Sequence, residues 1–92
     1  MGEKGGEKVE LSDLEVEELL RLFIGALAGK ALQHLGAQAG KGKPVKDLAK
    51  ARLAIDSVGA LIDKLAPVAS EDEAKQLKAL LSDLQLGYVA AG

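Results

Sequence analysis

The side chains able to do chemistry are few, and each has to be weighed against its position. His34 is the one histidine of the chain and its one natural acid–base group near neutral pH. It stands one residue before the last Leu of a long apolar segment. At that place it reads as a half-buried side chain at a helix C-terminus, where a protonated ring meets a favourable dipole. No cysteine is present, so thiolate nucleophiles, disulfides and Cys-ligated metals are excluded. With no second His or Glu-x-x-His spacing, no metal and no cofactor are expected. Glu15, Glu17 and Glu18 would be the candidates for paired carboxylates, but acids in the first turns of a helix are dipole partners, and a general acid needs a desolvated pocket. Ser12 and Ser70 are read as helix caps, which leaves Ser57 and Ser82 with no adjacent base. Catalytic residues are therefore not expected, and neither is an enzyme.

Two further groups invite a binding role. Arg52 and Asp56 are one helical turn apart and read as a salt bridge beside the core. The Gly36–Lys43 segment has the Gly and Lys of a phosphate-binding loop but not its spacing, its Ser or Thr, or its preceding strand. What it offers is a basic patch, Lys41, Lys43, Lys46 and Lys50, read as a solvated loop that an acidic partner could meet.

The elements that position these groups follow from periodicity. Met1–Glu10 repeats Gly, Glu and Lys with no apolar period and reads as a flexible tail, leaving 11–92 as one helical domain. Ser12-Asp13-Leu14-Glu15 reads as a capping box with Leu11 and Val16 as its staple. From it a helix is expected over Asp13–Leu35, stopped by Gly36. Three Gly and one Pro make Gly36–Val45 a loop. A second helix over Lys46–Leu65 carries Leu48, Ala51, Ile55, Val58, Ile62 and Leu65 at steps of three and four. Pro67 ends it. Ser70-Glu71-Asp72-Glu73 opens a third, with Ala74, Leu77, Leu81, Leu84 and Tyr88 in the same rhythm, fraying near Gly92. No strand pattern occurs, so the fold expected is all-α: three long antiparallel helices in a bundle.

The first helix departs from the one-stripe rule. Val16, Leu20, Phe23, Ile24, Leu27, Ala31 and Leu35 fall on one side, while Leu14, Leu22, Gly25, Ala28, Gly29 and Leu32 cover much of the rest. Two other helices can cover one broad face of it, so a second apolar face calls for a partner. Homodimerisation through Leu22, Gly25, Ala28, Gly29 and Leu32 is the expectation, with another protein as a further possible partner and an interaction or scaffold role as the function. Leu53, Ala60 and Leu86 add scattered apolar surface.

Composition agrees. A chain of 92 residues, 48% hydrophobic and 28% charged, forms one small domain and not a disordered segment. A net charge of −2 and only two aromatic residues, Phe23 and Tyr88, argue against nucleic acid. The longest apolar run, Leu22–Gly29, falls well short of the ~20 residues of a membrane span, and the N-terminal segment has no signal-type apolar region. The cytoplasm is the expected compartment. Peripheral membrane association through the first helix is the alternative, disfavoured because the polar residues of that helix are few and mixed in charge.

A family resemblance runs through the same residues. Phe23–Gly36, then Asp47-Leu48, Ala51-Arg52 and Ile55-Asp56, Leu61, Lys64, then Ser70–Glu73 with Leu77, Leu81, Leu84 and Tyr88-Val89, resemble the small bacterial domain of unknown function numbered eighteen-forty-four, from about Leu19 to Val89. The Ala-Leu-x-x-Leu-Gly end of the first helix and the Ala-Arg-x-x-Ile-Asp step of the second carry most of it. The chain has Pro67-Val68-Ala69-Ser70 where the family favours Gly-Asn-Leu-Thr, and Gln85 where an Arg is frequent. The resemblance implies a cytoplasmic bacterial protein and assigns no activity.

Overall fold

The computed structural model describes residues 10–36 and 46–92; the expected tail, up to residue 9, and most of the expected loop, with Lys41 and Lys43, lie outside them. Helices α1 (Val16–His34), α2 (Leu48–Leu65) and α3 (Glu71–Ala91) carry the fold, with 3-10 turns at Leu11–Asp13 and Ala66–Val68. Among the described residues there is no strand, so the all-helical expectation holds.

The start of α1 differs from the sequence reading. Ser12 lies inside the 3-10 turn, and the cap is Glu15, which forms a capping box with Glu18 and gives its own N–H to the Glu18 carboxylate at 2.9 Å. Two boxes overlap in this sequence, and hydrophobic contact decides between them. With Glu15 as cap, the residues at the two staple positions are Leu14 and Leu19, both partly buried, whereas the pair expected from Ser12, Leu11 and Val16, stays exposed. The helix therefore opens at Val16, not Asp13. At its other end Gly36, at φ 97°, takes the left-handed conformation expected of it and gives its N–H to Gln33 O at 3.0 Å.

Asp47 caps α2 by accepting from the Lys50 amide at 3.1 Å, so α2 begins at Leu48 and not at Lys46. The Asp47 N–H in turn donates to His34 O at 2.8 Å, which fastens the start of α2 to the end of α1. Pro67 ends α2 through the 3-10 turn, and Ser70 caps α3 as expected, its Oγ accepting from the Glu73 amide at 3.1 Å.

The core follows the stripe predicted for α2. Ala51, Ala54, Ile55, Val58, Ile62 and Leu65 are all buried, against Ile24, Ala28 and Ala31 on α1 and Leu84 alone on α3. Helix α2 is thus the middle element. Each large aliphatic side chain buried here contributes about 1.5–3 kcal/mol of transfer free energy. Where α3 crosses α2, Gly59 faces the Leu81 side chain at ordinary contact distance, a Cβ there lying 3.5 Å from Leu81 Cδ2.

Helix α3 packs mainly on α2 and meets α1 at few places. Arg21 and Leu35 meet α3 at Glu73 and Gly87, and Ile55, Gly59 and Leu48 meet it from α2. Helix α3 therefore lies on one side of the α1–α2 hairpin. Part of the wide stripe of α1 points the other way, so Val16 and Phe23, expected in the core, remain 68% and 41% exposed.

Candidate functional site

The outer face of α1 is the first region to weigh. With Ile24, Ala28 and Ala31 turned inward, about 100° per residue carries Leu22, Gly25, Ala26, Gly29 and Leu32 away from α2. All five are exposed, Leu22 by 47% and Leu32 by 45%, and the space a Cβ would take on Gly25 or Gly29 is empty to 4 Å. Ala28, placed with them in the sequence reading, is 7% exposed and sits in the core cluster. Its angle on the wheel puts it on the flank that packs inward, and Ala26 stands on the outer face instead.

The second region is the open side of the hairpin. Leu27, Lys30 and His34 of α1 face Lys50, Leu53, Ala54 and Ser57 of α2 across a shallow groove of about 350 Å³. His34, half-buried at its end, lines it together with the two lysines. The Ser57 hydroxyl donates to Leu53 O at 2.8 Å. Sequence reasoning did not assemble this groove, because its residues alternate between two helices. The signal was present all the same: Val16, Leu20, Phe23, Leu27, Lys30 and His34 run at steps of four and three, and so do Lys50, Ala54, Ser57, Leu61 and Lys64.

On the α3 side, Arg52, Ile55 and Asp56 form a cleft of about 220 Å³ with Gln85, Tyr88 and Val89. The Arg52 Nε lies 3.8 Å from Asp56 Oδ2, and both side chains are largely exposed, so this pair supports the helix and little more.

Arg21 and Glu73 make a two-point polar contact between α1 and α3. Nε donates to Oε2 at 2.6 Å and Nη2 to Oε1 at 3.0 Å, the fork geometry that suits a guanidinium and a carboxylate. The hydrogen bond from Arg21, aided by its charge, holds the Glu73 carboxyl below its ordinary value, and the Arg21 guanidinium is held above its own by Glu73 in turn. At the third position of a helix capped by Ser70, the Glu73 carboxylate could return to the cap's own amide; it goes instead to Arg21, a charged and bidentate partner. Among the described residues no group of three His, Cys, Asp or Glu could hold a metal ion, and no helix is long and apolar enough to cross a membrane.

No curated protein and no solved structure matches the chain. The model of one family does, over residues 18–90, from the capping Glu18 through all three helices. The chain thus belongs to the family described as the domain of unknown function DUF1844.

Proposed function

We propose that this domain is a self-associating interaction module of the bacterial cytoplasm, working by binding and without catalysis, in which α1 pairs with α1 of a second copy. One observation carries the reading: the outer face of α1 is apolar over three turns, from Leu22 to Leu32, and neither α2 nor α3 covers it. Contiguous apolar surface of this kind is characteristic of contact sites. The glycines let a facing helix approach closely, and Ala26 widens the strip without obstructing it. Acids and bases that could work as a pair are absent from this face, which suits a role in assembly.

Light scattering on the full chain at micromolar concentration is the test. The expected mass is twice 9.5 kDa. A stable particle of 9.5 kDa would remove the reading.

A further inference from the structure

Charge is segregated on this molecule by the way α1 and α2 pair. The stripe Val16, Leu20, Phe23, Leu27, Lys30, His34 and the stripe Lys50, Ala54, Ser57, Leu61, Lys64 share the side of the hairpin opposite α3. Neither stripe contains a carboxylate. Lys30 and Lys50 stand at one end of the apolar strip and Lys64 at the other, all three exposed. Asp47, at the start of α2, has its carboxylate on the Lys50 amide. The other acids of the helices lie elsewhere: Glu17 and Glu18 act on Arg21, Asp56 sits with Arg52 on the α3 side, Asp63, two turns on from Asp56, shares its flank of α2, and Glu71, Asp72, Glu73 and Asp83 belong to α3.

We propose that this side of the hairpin docks on an anionic lipid surface. Leu53, 68% exposed, stands at the rim of the groove, which the small Ala54 and Ser57 line with it, and Val16, as exposed, continues the apolar strip at the start of α1. An apolar group on the rim meets a broad surface; a partner helix would call for it on the floor. Lysines flanking such groups reach the headgroups with their ammonium ends while their stems lie along the apolar strip. Because the two stripes share one side of the hairpin, that side brings all three lysines to the lipid together. A second copy is a poorer occupant of this side, because face-to-face packing sets lysine against lysine. The inference is independent of pairing along the outer face of α1.

Flotation of the full chain with vesicles tests it, using phosphatidylcholine alone against phosphatidylcholine mixed with phosphatidylglycerol. The expected result is partition onto the mixed vesicles only, weakened by salt. Replacing Lys30, Lys50 and Lys64 together by Gln lowers that partition by roughly a hundredfold, since each cation near an anionic leaflet contributes about fivefold. Leu53→Ser weakens it as well, whereas Leu86→Ser on α3, equally exposed in the native chain, leaves it unchanged. Equal partition onto both vesicle types, partition onto neither, or a Gln variant that floats like the native chain would overturn the proposal. So would a Leu53→Ser chain that loses its dimer in light scattering, which gives this side to a second copy.

Discussion

Arg21 and Glu73, 52 positions apart, are joined by two hydrogen bonds between side chains that both touch water. They fasten the second turn of α1 to the first turn of α3, while Leu35 packs close to Gly87 near the other end, where a Cβ on the glycine would lie 3.3 Å from Leu35 Cδ1. Leu84 is the one fully buried residue of α3, with Leu77, Leu80, Leu81 and Tyr88 packed half-buried against the core beside it.

The Arg21–Glu73 pair is expected to act as a unit. Arg21→Gln and Glu73→Gln each lower the midpoint of thermal unfolding in low salt, and the double variant is no worse than either single one. Additive losses in calorimetry would show that the two residues stabilise the fold separately.

The same pair sets a pH dependence. Because the folded carboxyl of Glu73 titrates below its ordinary 4.5, the stability it gives is complete above that value and is lost as pH falls through the lower, folded one. Unfolding midpoints of the native chain and Glu73→Gln are expected to converge on acidification. A gap that stays constant down to the acid limb would contradict the assignment.

Removing the Leu84 side chain is the direct way to release α3. Leu84→Ala is expected to cost about 2–5 kcal/mol, with α3 amides losing hydrogen-exchange protection before those of α1 and α2. Uniform loss of protection across the three helices would mean that α3 is no more separable than the others.

The caps give a contrast between two serines. Ser70→Ala removes the acceptor of the Glu73 amide and is expected to destabilise by ~1 kcal/mol. Ser12→Ala lies in the 3-10 turn before the working cap and is expected to leave the denaturation midpoint in place.

Self-association is tested at two exposed leucines. Leu22→Glu with Leu32→Glu places charge on the outer face of α1 without touching the core, so circular dichroism is expected to keep its helical signal while light scattering falls to 9.5 kDa. A dimer that survives both changes would place its contact elsewhere.

How far the sequence reaches can be judged from particular residues. The α2 stripe was legible because a central helix buries one clean face: Ala51, Ile55, Val58, Ile62 and Leu65 are spaced by the helix and nothing competes. Gly36 and Ser70 were legible for a similar reason, each having a local geometry that few residues satisfy. Ser12 misled because its box overlaps a second one, and the choice is made by Leu14 and Leu19, whose burial depends on tertiary packing. On α1 the apolar residues run nearly all round, so their pattern could not say which flank α3 would take. That choice sent Ala28 inward, left Phe23 half open, and brought Lys30 alongside Lys50. A face built by two helices has no signature in either one.

The bond from the Asp47 amide to His34 O bears on how the family can vary. The chain leaves α1 and enters α2 at nearly one point, so the connection between them has no distance to bridge. The entropy of closing such a link rises by only about 0.6 kcal/mol for each doubling of its length. Insertions in the linker are therefore cheap, and it is the natural place to graft an affinity tag while the paired helices keep their register.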